Sequence, residues 1–274
     1  MKAIVFFNHK RLDEEMIQKI ISFLGSFNID VFIGDTFSGK QNHDYEPEVI
    51  MTFGGDGTVL RAVPFAVERD LPILSFKVGS VGFLAAFELG ELETAIGKFV
   101  DNRLHMEERY LLEVSFKEKR YKVLNDCAVE RGDPSRTTSL EVEIEGFSAY
   151  RIVGDGVILS TGTGSTAYNL SIGGALVDPM AKVYQVTPVA PHNPFVGSII
   201  VDSTRKTKVT VIDGKNAPMK LYLDGILTAV LRDGDEIVAG ISDKKVKLLR
   251  DAGFDFVRVL KRKLAFGGRL KDDL

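Results

Sequence analysis

The sequence has one cysteine, no long apolar run and no large excess of charge of either sign. Cys127 is the only cysteine among 274 residues, so an internal disulfide or a cysteine metal cluster is excluded. The 35 Lys and Arg residues against 38 Asp and Glu residues give a net charge of −3, which provides no basic surplus for sequence-independent nucleic-acid binding. No apolar stretch approaches the ~18 residues of a membrane span, and Asn8 ends the first run short of signal-peptide length. We therefore expect a cytoplasmic protein with neither a nucleic-acid nor a membrane partner.

Residues 1–103 alternate between two hydrophobic patterns, and we predict that they form one α/β domain. Continuous apolar runs predict strands at residues 2–7, 30–33, 48–53 and 72–78. Apolar residues at helical spacing predict helices at residues 12–24, 58–68 and 91–100. Pro64 should kink or shorten the second helix. Strands that alternate with helices indicate a Rossmann-like parallel sheet covered on both faces.

Residues 104–249 show a different pattern, which predicts a β-sandwich-like domain. Short runs rich in Val, Ile, Leu and Tyr predict strands at residues 111–116, 122–124, 140–144, 156–159, 198–201, 208–212, 220–223, 236–239 and 245–249. Asp213-Gly214, Asp224-Gly225 and Asp233-Gly234 are typical of hairpin turns. Residues 250–274 return to helical spacing, through Phe254, Val257, Leu260 and Leu264. We expect this C-terminal helix to pack back on the first domain.

The segment Gly54-Gly55-Asp56-Gly57-Thr58 follows a predicted buried strand and precedes a predicted helix. Three glycines let backbone N–H groups approach an anionic ligand, and the helix start adds a favourable partial charge. A carboxylate in such a loop makes sense if Asp56 accepts a proton from a hydroxyl nucleophile or holds a metal carried by phosphates. The alternative is a tight Asp-Gly turn with Thr58 as the helix cap. Ligands usually bind at the open end of a parallel strand, which favours the functional interpretation.

A second polar segment, STGTGSTAYN at residues 160–169, follows the predicted strand GVILS. Gly162, Gly164 and Ala167 match the dinucleotide-binding spacing G-x-G-x-x-A, but no βαβ unit surrounds them, so we reject that assignment. Such a turn at the start of a helix still offers backbone and hydroxyl donors to a polar ligand, and Tyr168 offers a stacking face. The alternative is a Ser/Thr-rich cap and turn without a ligand.

Four further positions carry weaker signals. Asn125 and Asp126 place an amide beside a carboxylate after a predicted strand, which suits the hydroxyls and base edge of a nucleoside; an Asx turn is the alternative. Asp155 lies between two glycines and fits a turn equally well, and Arg136 lies in a polar loop where it would meet a phosphate or stay solvated. Cys127 is expected to be a small buried residue.

Other known catalytic motifs do not match. Residues 34–41 (GDTFSGKQ) follow the P-loop pattern through Lys40, but Gln41 replaces the hydroxyl that binds Mg²⁺. We interpret this segment as a mobile surface loop able to close over a substrate. The sequence has neither G-x-S-x-G nor H-E-x-x-H, and its four histidines are scattered. A serine hydrolase or a zinc site is therefore not indicated.

Taken together, these motifs resemble those of the NAD kinase family. The matching segments are GGDGT at 54–58, KVGSVGFLAAF at 77–87, ND at 125–126, GDGVILSTGTGSTAYNLSIGG at 154–174, LYLDG at 221–225 and the helix after Gly253. They extend over nearly the whole chain, in order. Diacylglycerol kinases, sphingosine kinases and phosphofructokinases carry loops related to GGDGT, whereas the long segment at 154–174 is specific.

The resemblance implies a two-domain kinase with its active site in the cleft between the domains. It would transfer a phosphoryl group from ATP or another donor to the 2′-hydroxyl of the adenosine ribose of NAD, with Asp56 as general base. The implied phosphate-binding residues are Gly54, Gly55, Gly57, Thr58, Arg61 and Arg136. The implied dinucleotide-binding residues are Asp56, Gly57, Phe83, Asn125, Asp126, Asp155, Thr166, Ala167, Tyr168, Asn169, Leu170 and Ser171. Mg²⁺ would arrive on the donor phosphates without a separate metal site, and the chain would form a homodimer or homotetramer.

The sequence departs from the family pattern at two positions. Asp126 stands where relatives usually carry Glu, and Leu84 stands where they often carry an aromatic residue. Two other functions remain as alternatives. A lipid kinase of the diacylglycerol or sphingosine type would share the GGDGT chemistry, but the acidic balance and the polar segment at 160–169 argue against it. A dinucleotide-binding regulator without turnover is disfavoured by an intact Asp56 among intact glycines.

Overall fold

The chain is described from a computed structural model that covers residues 1–34, 46–79, 82–192, 196–213, 218–253 and 255–264. Nearly all of the predicted mobile loop at 34–41 lies outside these residues, as do Gly214 of one predicted turn and Phe254 of the predicted C-terminal helix. The chain divides into two compact units, unit 1 (Met1–Glu108 with Val246–Leu274) and unit 2 (Arg109–Lys245). The C-terminal segment therefore belongs to the first unit, together with the N-terminal hundred residues.

In chain order, the described residues form the following strands and helices. They are β1 (Lys2–Phe7), α1 (Glu14–Ser26), β2 (Asp30–Ile33), β3 (Val49–Gly54), α2 (Asp56–Arg69), β4 (Pro72–Lys77), β5 (Phe87–Glu88), α3 (Leu92–Val100), β6 (His105–Phe116), β7 (Lys119–Val123), β8 (Asp126–Arg131), β9 (Thr138–Ile144), β10 (Phe147–Gly154), β11 (Gly156–Thr161), α4 (Tyr168–Ser171), β12 (Val183–Val189), β13 (Ile199–Asp202), β14 (Lys206–Asp213), β15 (Met219–Leu223), β16 (Ile226–Leu231), β17 (Glu236–Arg250) and α5 (Phe256–Leu264).

Unit 1 is built on a parallel sheet in the order β2-β1-β3-β4, which confirms the predicted α/β arrangement. The last residues of β17 extend this sheet parallel to β4, through Lys247 and Leu248. The apolar faces of α1 and α3 join the strands in one core. Because β1, β3 and β4 run in the same direction, their carboxyl ends lie along one edge, and the GGDGT segment begins where β3 ends at Gly54.

Helix α2 is longer than the sequence predicts. It begins at Asp56 rather than at residue 58 and runs to Arg69 with Pro64 inside it, so of the two expected effects, a kink or a shorter helix, the shortening does not occur. The buried side chains of Val59, Ala62, Val63 and Ala66 hold one face of the helix in the unit. This packing outweighs the lost hydrogen bond at the proline, as tertiary context commonly does.

Unit 2 is a sandwich of antiparallel strands, as predicted. One sheet has the order β13-β12-β11-β8-β15-β16, and in the other β10, β9, β14 and the first residues of β17 pair in that order. Residues of both sheets share a single core, with Cys127, Val129 and Leu159 from one and Val142 and Val209 from the other. Cys127 is fully buried, which confirms its prediction as a small core residue.

Several strands of unit 2 are absent from the predicted set. The pattern missed β8, β10, β12 and β16, and it divided β17 into two strands at 236–239 and 245–249. In β12 a buried Gln185 and Pro188 interrupt the apolar run, and in β17 Asp243, Lys244 and Lys245 do the same. Pairing of β12 with β11 and β13 and of β17 with β14 accommodates these polar residues. Among the described residues, no helix is long and apolar enough to span a membrane.

Candidate functional site

The loop between β3 and α2 presents free space beside the start of a helix. Gly55 is the N-cap of α2, and the first hydrogen bonds to its carbonyl come from the N–H groups of Thr58, at 2.9 Å, and Val59, at 3.4 Å. The N–H groups of Asp56 and Gly57 precede those bonds and lie where the helix dipole favours an anion. Within the described part of the chain, a Cβ placed on Gly55 or Gly57 would meet no atom within 4 Å. A ligand can therefore approach this backbone closely.

The other predicted phosphate-binding residues of this loop differ in their surroundings. A Cβ on Gly54 would lie 2.1 Å from Thr58 Oγ1, so packing within the loop requires glycine there. The Thr58 side chain is buried, and the N-cap is Gly55 rather than Thr58. Arg61 is exposed one turn further along α2. The open positions of the loop are consequently Gly55 and Gly57.

The carboxylate of Asp56 is held by the backbone of the segment that follows β4. Its Oδ2 accepts the N–H of Phe83 at 2.6 Å, and its Oδ1 accepts those of Leu84 at 2.9 Å and Ala85 at 3.4 Å. A Cβ on Gly82 would lie 2.0 Å from Oδ1. Two predicted site residues, Asp56 and Phe83, are thus brought together in unit 1. Because Oδ2 accepts only one of these bonds, it keeps the larger remaining acceptor capacity.

A half-buried cation lies beside this segment. The Lys263 ammonium nitrogen of α5 is 4.6 Å from the centroid of the Phe83 ring, a distance at which a cation is attracted to an aromatic face. Burial lowers the pKa of Lys263 to about 8; the charge of Asp56 opposes that shift, and the nearby Arg250, Arg262 and Lys77 add to it. Lys263 is a residue that the sequence analysis missed, because nothing in a helical pattern marks which lysine faces a distant loop.

In unit 2 a second carboxylate holds the Asn125-Asp126 segment. Asp224 accepts the N–H groups of Leu124 at 2.9 Å, Asn125 at 2.7 Å and Asp126 at 3.2 Å, and its own N–H donates to the Asp126 carbonyl at 3.0 Å. Asp224 and Gly225 both have positive φ angles, 47° and 75°, between β15 and β16. This confirms the predicted Asp-Gly hairpin turn. The turn also fixes the backbone of two predicted site residues, a role that its sequence did not reveal.

Asp126 is a buried acid in an acidic neighbourhood. Burial raises the pKa of its carboxyl to about 7, and the charges of Asp224 and Glu130 raise it further. Burial also raises the pKa of Asp224, although the three N–H groups that it accepts oppose the shift. Carboxyls with raised pKa values at a polar site are common among binding and catalytic residues.

The Ser/Thr-rich segment at 160–169 uses most of its hydroxyls internally. Thr161 Oγ1 donates to the Leu124 carbonyl at 2.6 Å, and Ser165 Oγ donates to the Gly162 carbonyl at 2.6 Å. A Cβ on Gly164 would lie 2.1 Å from the Asn125 carbonyl oxygen, so this glycine serves packing within the protein. The expectation that these hydroxyls are offered to a ligand is wrong for the buried Ser160, Thr161, Thr163 and Ser165.

The helix that follows is α4, which has only four residues, too few for a helix dipole of any size. The side chain of Asn169 is buried and accepts a hydrogen bond from Thr187 Oγ1 at 2.7 Å, so it supports the turn from inside. Thr166, Ala167 and Leu170 are partly exposed, and Tyr168 and Ser171 are exposed. The exposed Tyr168 donates its hydroxyl to Glu130.

Arg131 contacts two predicted site residues of unit 2, Asp155 and Arg136. Its Nη2 lies 2.8 Å from Asp155 Oδ2, and its Nη1 donates to the Arg136 carbonyl at 3.5 Å. The Arg136 guanidinium is exposed beside Asp133. Burial raises the pKa of Tyr168 most, followed by its hydrogen bond to Glu130. The charges of Glu130, Asp155 and Asp126 raise it further. The hydrogen bond of Tyr168 to Glu130 and the ion pair of Asp155 with Arg131 join both residues to β8, the strand that begins with Asp126. We refer to Asp126, Asp155 and Tyr168 as the polar cluster of unit 2.

Comparison with known proteins identifies the group to which this chain is related. Residues 14–104 match the model of the ATP-NAD kinase N-terminal domain, and residues 124–251 match that of the ATP-NAD kinase C-terminal domain. A curated NAD kinase of Caldicellulosiruptor saccharolyticus is 34% identical over 261 residues, which are 95% of this chain and 98% of that protein. The chain belongs to the NAD kinase family. A NAD kinase of Petrotoga mobilis is 30% identical over 99% of this chain and 100% of its own.

Solved structures of NAD kinase relatives share the fold. A yeast NADH kinase complexed with NADH superimposes with a TM-score of 0.86 at 22% identity, over 100% of this chain and 90% of that one. An NAD kinase from Archaeoglobus fulgidus in complex with ATP gives a TM-score of 0.78 at 24% identity, over 97% of each chain. At these identities the likeness establishes the architecture of both units.

The two departures from the usual NAD kinase pattern have different surroundings. Leu84 is 2% exposed, so this side chain belongs to the core and offers no stacking surface. Asp126 is also buried, but at the polar cluster of unit 2. The sequence pattern missed Gly82, Arg131 and Asp224, which hold predicted site residues in place. Gly82 and Asp224 lie in the segments 77–87 and 221–225 that resemble the family, but neither was named as a site residue, and Arg131 lies outside the matching segments.

Proposed function

We propose that the chain transfers the terminal phosphoryl group of ATP, or of another phosphoryl donor, to the 2′-hydroxyl of the adenosine ribose of NAD, producing NADP. The observation that carries this proposal is the Asp56 carboxylate, fixed by three N–H groups at the start of α2 beside two glycines with open space. Family membership supports the same reaction. Phosphoryl transfer requires positioning and charge neutralisation more than covalent chemistry, which suits this loop.

Unit 1 would bind the donor and activate the acceptor. The N–H groups of Asp56 and Gly57 would bind phosphate oxygens, with Arg61 adding positive charge. The ribose 2′-oxygen attacks the terminal phosphorus, the bond from that phosphorus to its bridging oxygen breaks, the hydroxyl proton passes to Asp56, and ADP leaves. Oδ2 of Asp56 is the better placed oxygen for this proton, since only Phe83 donates to it.

Mg²⁺ is part of this proposal and would arrive on the donor phosphates, whose charge it neutralises when bound. Mg²⁺ commonly takes one or two carboxylates together with substrate phosphates. Asp56 Oδ2 keeps acceptor capacity after binding Phe83, but in this proposal that oxygen takes the hydroxyl proton, so the ion is assigned to the donor phosphates and not to Asp56. A cytoplasmic location, where NAD and ATP are both present, also belongs to the proposal.

Unit 2 would bind the dinucleotide through the polar cluster at Asp126, Asp155 and Tyr168. Asn125 and Asp126 are suited to ribose hydroxyls and a base edge, and their backbone is fixed by Asp224. The exposed Tyr168 offers a ring, and the partly exposed Thr166, Ala167 and Leu170 with Ser171 border it. We assign Arg136 to a phosphate and Asn169 to support of the turn.

The acceptor affinity should depend on pH through Asp126. With a pKa of about 7, roughly a tenth of this carboxyl is ionised at pH 6 and nine tenths at pH 8, so KM for NAD should fall up to about tenfold across that range. In Asp126→Asn, KM for NAD should be higher than in the wild type and independent of pH. The pKa of Asp126 is higher in the folded chain than in the unfolded chain. This carboxyl therefore contributes to the free energy of unfolding below its unfolded-state pKa, and that contribution is lost as the pH rises through about 7. The melting temperature of Asp126→Asn, relative to that of the wild type, should therefore rise between pH 6 and pH 8. A KM slope that persists in Asp126→Asn would assign the titration to another group.

The reaction itself is tested by incubating the full chain with Mg-ATP and NAD and locating the new phosphate by NMR. We expect 2′-phosphorylated NAD without added lipid. Product that appears only on a lipid acceptor would instead support the lipid kinase, and calorimetric NAD binding without any product would support the regulator. Phosphate on the 3′-oxygen would contradict the proposed acceptor.

Self-association through the edge strand β16 is a further part of the proposal. Ile226, Leu227 and Val230 are 56%, 51% and 53% exposed on this strand, which lies at the edge of its sheet, and exposed apolar edges favour pairing with another chain. Leu227→Lys should shift the chain from dimer or tetramer towards monomer in analytical ultracentrifugation. Val100→Lys, an equally apolar exposed position on α3, is the matched control. Monomeric wild type would refute this part.

A further inference from the structure

Arg250, the last residue of β17, is a buried cation within unit 1. Its side chain is 1% exposed, and arginines are seldom buried unless their charge is matched. Its Nη1 donates to the Leu84 carbonyl at 2.6 Å, and its Nε lies 3.3 Å from Glu107 Oε1. Burying a charged pair costs desolvation that its attraction often fails to repay. The position of Arg250 therefore calls for a reason besides stability.

The Leu84 carbonyl is part of the structure that holds Asp56. It belongs to the same peptide group as the Ala85 N–H, which donates to Asp56 Oδ1 at 3.4 Å, and the N–H of Leu84 itself donates to that oxygen at 2.9 Å. Ser75 Oγ makes a longer contact with the same carbonyl, 3.3 Å. Arg250 thus binds one end of a peptide group whose other end faces the Asp56 carboxylate. A cation on the carbonyl polarises the N–H of that group and strengthens its hydrogen bond.

We propose that Arg250 is a positioning residue for Asp56, acting through the Leu84-Ala85 peptide group. The proposal rests on the proposed function for its kinetic consequence, but its structural part stands apart from it. Arg250 fixes the plane of the peptide, the peptide fixes the carboxylate, and the carboxylate receives the proton of the acceptor hydroxyl. Lysine keeps the charge but lacks the planar fork that reaches Leu84 and Glu107 together.

The kinetic test is a double-mutant cycle of Arg250→Lys with Asp56→Asn. Arg250→Lys should lower kcat about tenfold, since small misplacements of a reacting group are costly, while KM for NAD changes less than about twofold. In the Asp56→Asn background the same substitution should change kcat less than about twofold, because the residue through which it acts is already gone. Lys247→Met, which removes another cation of β17 that pairs with Asp70 at 2.6 Å, is the control and should leave kcat unchanged. Equal losses in both backgrounds would overturn the proposal.

The structural test does not depend on activity. Amide hydrogen exchange of Phe83, Leu84 and Ala85 should be faster in Arg250→Lys than in wild type, with β3 unchanged. If Arg250→Lys does not fold, Glu107→Gln loosens the same guanidinium more gently and should accelerate the same amides. Unaltered exchange at these three amides would refute the positioning role, whereas wild-type protein that forms no NADP would refute the proposed function alone.

Discussion

Asp56→Asn should lower kcat by about 10²–10⁴-fold, the usual contribution of a positioned base, while NAD binding largely survives. The substitution removes the proton acceptor from the loop. It also places an NH₂ group against the backbone N–H groups of Phe83, Leu84 and Ala85, which donate to the carboxylate. The asparagine can satisfy these donors with one oxygen only. Steady-state kinetics and NAD titration calorimetry on the same preparation measure the two effects separately.

The matched control for that substitution is Asp70→Asn at the opposite end of α2. Asp70 is the C-cap and has a φ of 57°, a conformation that asparagine adopts readily. This variant should keep its turnover, and its melting temperature reports the loss of the carboxylate that pairs with Lys247 at 2.6 Å. Near-normal turnover in Asp56→Asn would remove Asp56 from the chemical step.

Gly82→Ala should lower kcat by about 10²-fold, the scale expected when a reacting group moves by about 1 Å. The new methyl carbon would lie 2.0 Å from Asp56 Oδ1 and 2.4 Å from its Cγ, so the carboxylate must leave its position or the segment must shift. Both changes break the hydrogen bonds from Phe83 and Leu84. The loss should appear mainly in kcat, and KM for NAD should change less, because the predicted dinucleotide contacts of unit 2 are untouched and only Asp56 and Phe83 of that set are displaced.

Gly97→Ala provides the comparison for Gly82→Ala. A Cβ on Gly97 meets no atom within 4 Å among the described residues, and Gly97 lies inside α3. Alanine there should raise stability by about 0.5–1 kcal/mol, since glycine weakens a helix interior, with no effect on turnover. A Gly82→Ala enzyme as active as Gly97→Ala would show that the position of Asp56 tolerates displacement.

Residue patterns predicted the parts of this fold that depend on local order. The alternation of apolar runs and helical spacing in the first hundred residues correctly indicated the parallel sheet, because buried parallel strands are continuous apolar runs. The edge strand β16 (ILTAVL) has an apolar run broken only by Thr228, and β12 (VYQVTPV) has one broken by Gln185 and Thr187, yet neither was among the predicted strands. Pro64 was expected to kink or shorten α2; it does not shorten the helix, in which Val59, Ala62 and Val63 are buried.

The residues of the candidate site likewise fall into those that the sequence pattern indicated and those that it did not. GGDGT could be recognised because its glycines, its carboxylate and its place after a strand are adjacent in sequence. The hydrogen bonds of Asp224 to residues 124–126 join positions about a hundred apart, and no periodicity encodes such a contact. The hydroxyls of Ser160, Thr161 and Ser165 suggested ligand donors, but burial directs them to neighbouring carbonyls.

Unit 1 is divided between segments before and after unit 2, which has a consequence for biosynthesis. The ribosome synthesises GGDGT before the whole of unit 2, and it reaches Arg250 and α5 only after unit 2. A nascent chain therefore carries the loop without the guanidinium that anchors the Leu84 carbonyl. Domains generally fold as units during synthesis, and unit 1 becomes complete only after the strands of unit 2 have been synthesised.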